Sequence, residues 1–124
     1  MGTPIFCKYM IRTSEFERAN SGRSLYIAQG GQNYQLLLPV LYNNTVHVLE
    51  EPLFYCVVRE DSHSHVVVND TEAHLERCDE HEKTVIGTIK RMQIPEEQEL
   101  IEIVKEKYKN RKDDIRKKAG MAEG

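Results

Sequence analysis

Residues 46–59 read VHVLEEPLFYCVVR: Val46-His47-Val48-Leu49, then Glu50-Glu51-Pro52, then Leu53-Phe54-Tyr55-Cys56-Val57-Val58-Arg59. β-Branched and aromatic side chains fill both apolar pieces, and such residues suit a pleated, half-buried surface. The pattern predicts two short strands with a turn at Glu50-Glu51-Pro52. Strands so near in sequence can pair with each other, or the Pro52 turn can carry the chain between layers. On either reading the chain belongs to the α+β class.

The flanks extend this expectation. Upstream, IFCKYMIRT (5–13) is rich in strand formers, with Lys8 at an alternating position, and predicts an edge or half-buried strand. Ser14 can cap a short helix, with Glu17 as its reciprocal partner, and Asn20-Ser21-Gly22 ends it. Leu25-Tyr26-Ile27 reads as a brief extended piece. From Gln32 to about Tyr42 the residues Leu36, Leu37, Val40 and Leu41 recur at helical steps. Pro39 removes one hydrogen bond there and predicts a kink, and Asn43-Asn44 closes the helix.

Downstream, EDSHSH (60–65) is a polar loop and Val66-Val67-Val68 an extended exit. Asn69 with Glu72 forms a candidate capping box. Leu75, Cys78, Val85, Ile89 and Met92 then share a helical stripe, on which Gly87 suggests close packing or a bend. After Pro95 a second helix starts near Glu96, with Leu100, Ile103, Val104, Tyr108 and Ile115 on its apolar face. Its basic residues crowd toward the C-terminal end, as the helix dipole favours. Residues 119–124 should fray. The division is one domain over 1–124, with a mixed α/β region at 5–68 and an antiparallel helical pair at 69–119. Two or three short strands make a poor independent core.

With 124 residues the chain can bury about two thirds of its extended surface in one core. Apolar residues at 40% and charged residues at 30% are ordinary for a globular protein and unlike a disordered tail. The net charge of -3 hides a basic stretch, KEKYKNRKDDIRKK (105–118). Glu106, Asp113 and Asp114 interrupt it, so it reads as a solvated helix and no nucleic-acid partner is implied. No apolar run reaches the length of a transmembrane segment, and the N-terminus lacks a signal peptide's pattern, so a cytoplasmic location is expected. Cys7, Cys56 and Cys78 are widely spaced, which predicts free buried thiols.

Gly30-Gly31-Gln32-Asn33 has two readings. The glycines could let a ligand approach while Gln32 and Asn33 hydrogen-bond it at the helix start, or the glycines make a turn that Asn33 caps. His63 and His65 have the i,i+2 spacing that puts two rings on one side of an extended chain. A third ligand from His47, Asp61 or His81 could complete a metal site, although the spacing does not establish one; phosphate contact or a plain solvated loop are the alternatives. His74 and His81 lie seven apart on a helix and read as packed or solvent-exposed. Tyr26, Tyr34, Tyr42 and Tyr55 could line a sugar surface or sit in the core. Tyr34, following the glycine turn, is the best exposed candidate.

The ordered series IRTSEF (11–16), GQNYQLLLPVLY (31–42), VHVLEEPLFYCVVREDSHSH (46–65) and CDEHEK (78–83) resembles the C-terminal, acceptor-side half of a family 2 glycosyltransferase with the GT-A fold, over about residues 5–95. The resemblance implies a partial GT-A-like region: two or three short strands, a core helix and the C-terminal helical pair. It implies transfer of a sugar from a nucleotide-sugar donor to a carbohydrate, lipid or wall-polymer acceptor. In the family a carboxylate takes the acceptor's proton; Gln32 and Asn33 stand there in this chain, and an amide cannot do so at neutral pH. Arg59 would stabilise the departing diphosphate, a burden increased by Val57 where the family has arginine. Gly31, Tyr34, Ser62, His63, Ser64 and His65 would contact donor phosphate or sugar.

No D-x-D pair and no nucleotide-binding half are present in the sequence. The resemblance therefore implies that this chain alone is inactive and binds no metal, with Mg²⁺ or Mn²⁺ held by the complete enzyme, which could work at the inner membrane surface. Parts of 5–13, 36–41 and 53–58 would then present the face left by the missing half, a route to a homodimer. The alternative is a small protein-interaction module that uses its C-terminal amphipathic helices.

Overall fold

The structure is a computed structural model that describes residues 9–22, 25, 30–53, 55, 57, 59–61 and 69–120. Among these residues the architecture is all-helical: α1 (Thr13–Asn20), α2 (Gln32–Asn43), α3 (Thr71–Met92) and α4 (Glu97–Lys118). The α+β expectation is thereby corrected, since no strand occurs among the described residues. Residues 46–49 and the described members of 53–59 carry no regular secondary structure, and neither do 9–12 or Leu25. The physical reason lies in pairing. A β-prone segment becomes a strand only where another strand satisfies its backbone, and no partner lies beside this one among the described residues. Residues 5–8, 26–27 and 66–68 of the expected extended pieces lie outside the described residues, as do Phe54, Cys56 and Val58.

α3 and α4 form the main body. Cys78, His81, Val85, Thr88 and Met92 follow one another at steps of three and four along α3 and are all buried. Ile101 and Tyr108 are the buried residues of α4, with Val104 and Ile115 half-buried on the same stripe; Ile103, expected there, is exposed. A short connection through Gln93, which takes a left-handed conformation (φ 52°), and Pro95 reverses the chain between them. Lys112, toward the end of α4, reaches Asp79 Oδ1 (2.7 Å) and Glu82 Oε2 (3.1 Å) around the middle of α3, while the connection joins the end of α3 to the start of α4, so the pair is antiparallel.

α2 packs on α3, and α1 packs on α2. Leu37 and Pro39 are wholly buried, with Tyr34, Gln35 and Val40 beside them. Helix α2 continues through Pro39, which cannot donate to the Gln35 carbonyl. One residue along, the Leu36 carbonyl accepts from Asn20 Nδ2 of α1 (3.3 Å). The last turn is closed by side chains: Asn43 Nδ2 donates to Pro39 O (2.7 Å) and Asn44 Nδ2 to Val40 O (2.9 Å). Tyr42 Oη donates to Glu96 Oε2 (2.7 Å), tying the end of α2 to the start of α4.

The expected caps are displaced. α1 begins at Thr13 after Arg12 with no side-chain cap, so Ser14 lies inside the helix, and Glu15 instead pairs with Arg18. The cap of α3 is Asp70, not Asn69: its Oδ1 accepts from Ala73 N at 3.0 Å.

Candidate functional site

The glycine turn before α2 is where the sequence allowed either a ligand or a plain turn, and the structure packs it against the protein itself. Gly31 adopts φ 72°, a left-handed conformation that other residues enter only with strain, and it precedes α2 with no side-chain cap. Asn33 is therefore not the cap. Gly30 is buried against α3: its carbonyl accepts from Thr84 Oγ1 at 2.7 Å, and a Cβ placed there would come within 2.7 Å of His81 Cδ2. The close approach that two glycines permit is to a helix of the same chain.

Tyr34 is turned into the bundle. It is buried, its ring centroid lies 5.9 Å from that of His81, and the two planes meet at 75°, an edge-on contact. Its hydroxyl is also hydrogen-bonded with that of Tyr108 on α4. Burial, then that bond, pushes the Tyr108 hydroxyl well above its ordinary range, so it stays protonated. The cluster thus joins α2, α3 and α4 through two tyrosines and one histidine. Gln32 and Asn33, by contrast, are exposed, and so is Arg59 in the non-helical segment. Tyr34 consequently cannot serve beside Gln32 and Asn33 as a solvent-facing sugar platform. Ser62, His63, Ser64 and His65 lie outside the described residues.

His81 sits in the core, so it is not available as a third ligand for an exposed site, and His47 is exposed. Among the described residues no group of three metal-ligating side chains occurs. Cys78 is a buried free thiol whose pKa burial pushes up, which leaves it a poor nucleophile.

Burial holds the His81 pKa below its usual range, and the cations Arg77 on α3 and Arg111 on α4 add to the effect. His74 shifts the same way, through burial and then Arg111, Arg77 and Lys118. A depressed folded pKa means that the unfolded chain takes up the proton first. The stabilisation is therefore whole above the unfolded value of about 6.5 and is lost as pH falls from there toward the folded value. The expected outcome is a urea midpoint that drops between neutral pH and about pH 5, with a shallower drop in His81→Gln. Equal slopes in the two chains would remove His81 from the cause.

Sequence reasoning overlooked Thr84 and Thr88. Both are buried; Thr88 Oγ1 donates back to the Thr84 carbonyl at 2.8 Å, which lets a hydroxyl sit in the core. Their positions, one residue before Val85 and before Ile89, were the available signal.

Among the described residues the exposed large apolar side chains gather in the part of the chain between α2 and α3. Val46 is 51% exposed, Val48 82%, Leu49 71%, Leu53 65%, Tyr55 98% and Val57 83%. Charged residues border it: Glu50, Glu51, Arg59, Glu60 and Asp61 are all exposed. Of the three stretches expected to form a free face, 36–41 is covered by the bundle; of 5–13, residues 5–8 lie outside the described residues and 9–13 are exposed or half-buried; and the described part of 53–58 is open. No helix among the described residues is long and apolar enough to cross a membrane. Comparison of the chain with protein-family models, curated proteins and solved structures finds no match.

Proposed function

We propose that this chain is a protein-interaction module: a helical body that presents the exposed apolar residues of 46–57 as its contact surface. The observation that carries the reading is the exposure of six large apolar side chains within twelve positions, bordered by charge. Exposed apolar side chains gathered in one stretch and bordered by charge favour association, because burying them against a partner releases their hydration water. The C-terminal helices are not that surface. Their apolar stripes face each other and α2, so they build the body that carries the segment.

The double substitution Tyr55→Asp with Val57→Asp tests the reading. A segment that contributes nothing to the body tolerates two charges, so helical content stays the same and stability changes by no more than about 0.5 kcal/mol, while binding of an apolar dye falls. A loss of several kcal/mol would place these side chains in the chain's own core and end the interaction reading. The transferase reading is carried by the ordered sequence segments alone. Binding of a nucleoside diphosphate sugar that Arg59→Ala abolishes would favour it instead.

A further inference from the structure

We propose that the open end of the α3–α4 pair binds a short polyphosphate, held by Arg77, Arg111 and Lys118 around His74. This site goes beyond the interaction reading and stands apart from residues 46–57. His74 and Arg77 are three apart on α3, and Arg111 and Lys118 seven apart on α4, so each pair shares one face of its helix. Lys112 fixes how the two helices meet, because its ion pairs set it level with Asp79 and Glu82. From that level α3 runs back to His74 while α4 runs on to Lys118, which brings the two ends side by side.

The cations of this end have no acid to meet. Arg77 stands two positions before Asp79, a rotation of about 200° around the helix, and so lies on the side of α3 away from Lys112. Asp79 and Glu82 are taken by Lys112, and Asp113 by Arg116. Arg77, Arg111 and Lys118 form no ion pair among the described residues, although Glu80 follows Arg77 by three positions and Asp114 falls between Arg111 and Lys118. α2, packed on α3 through Tyr34 and His81, carries no charged residue. The charges that act on His74 are Arg111, Arg77 and Lys118, all positive, and those that act on His81 are Arg77 and Arg111.

Unpaired cations gathered about one imidazole repel one another, and an anion among them replaces repulsion with attraction. His74 and Arg77 are half-buried while Arg111 and Lys118 are exposed, so the group is reachable from solvent. Two guanidinium groups favour phosphate oxygens, which they grip through paired N–H donors. Arg111 and Lys118 are separated by about 10 Å along the axis of α4, more than one phosphate spans. A chain of two or three phosphates bridges that distance. A long polyanion is disfavoured, because Glu102, Glu106, Asp113 and Asp114 are exposed on the rest of α4.

The test is calorimetric titration of the full chain with inorganic tripolyphosphate at low salt. One equivalent should bind, at least about tenfold more tightly than inorganic phosphate. Arg77→Gln with Arg111→Gln should weaken binding by about tenfold or more, since two charge-assisted contacts are lost. Lys105→Gln with Lys109→Gln removes the same charge from exposed positions elsewhere on α4 and should change it by less than about twofold. Proton resonances of His74 give an independent readout: tripolyphosphate should move its titration to higher pH in the wild-type chain, because an adjacent anion favours the imidazolium. Absence of binding at millimolar tripolyphosphate would overturn the proposal, as would equal weakening in the two double variants, an unmoved His74 titration, or tighter binding of a short polyglutamate peptide.

Discussion

Leu37→Ala is expected to lower the stability of the chain by about 3 kcal/mol. Leu37 is fully buried on α2, the helix that sits between α1 and α3. Removing its terminal carbons forfeits their transfer from water and leaves a cavity that the flanking helices can only partly close. The buried Pro39 and Val40 beside it limit that collapse. Denaturant unfolding should show a lower midpoint with an unchanged slope, the mark of lost stability without a change in the unfolded state. Leu49→Ala is the internal control: its side chain is open to solvent, and the change should fall within about 0.5 kcal/mol. Equal losses at the two positions would mean that the segment after α2 is packed like the helix before it.

Gly30→Ala should cost about 2 kcal/mol through overpacking. The added Cβ would meet His81 Cδ2 at 2.7 Å and Nε2 at 3.1 Å, with Glu80 Cβ at 3.7 Å. The imidazole cannot simply swing away, because it is buried and edge-on against Tyr34. Displacing Gly30 also strains the bond its carbonyl accepts from Thr84. If the ring is the obstacle, trimming it relieves the clash. Gly30→Ala combined with His81→Ala should then lose about 1 kcal/mol less than the sum of the two single changes. Strict additivity would show that the two sites do not touch.

These two sites show what the sequence made legible. Cys78, Val85, Ile89 and Met92, and Val104, Tyr108 and Ile115, repeat at helical spacing, so both long helices and their facing stripes could be read directly. The same rule would have placed Tyr34 inward, since it lies three residues before Leu37 and four before Leu38. Its position after two glycines suggested exposure and outweighed the period. Gly30 and Gly31 do announce a close approach, but composition cannot say whether a ligand or another helix comes close. Cap positions moved by one or two residues because several polar residues compete at each helix start, as Asn69 and Asp70 do.

The segment at 46–59 was misread for a different reason. Its residue types record what surface it suits, and they suit a strand, yet a strand is a property of two chains of backbone and not of one. Single-chain folding and strand composition disagree here. The resemblance to a transferase leaned on the same stretch, so the absence of a sheet among the described residues withdraws the architecture that the resemblance implied.

Amide hydrogen exchange of the dilute chain tests most directly whether 46–57 is an open contact surface on a helical body. The expected result is slow exchange through α2, α3 and α4, with exchange at the rate of an unstructured peptide from Val46 to Arg59. Protection of Val46 to Arg59 comparable to that of α3 in the dilute monomer would contradict the account, because those residues would then belong to the chain's own sheet and core.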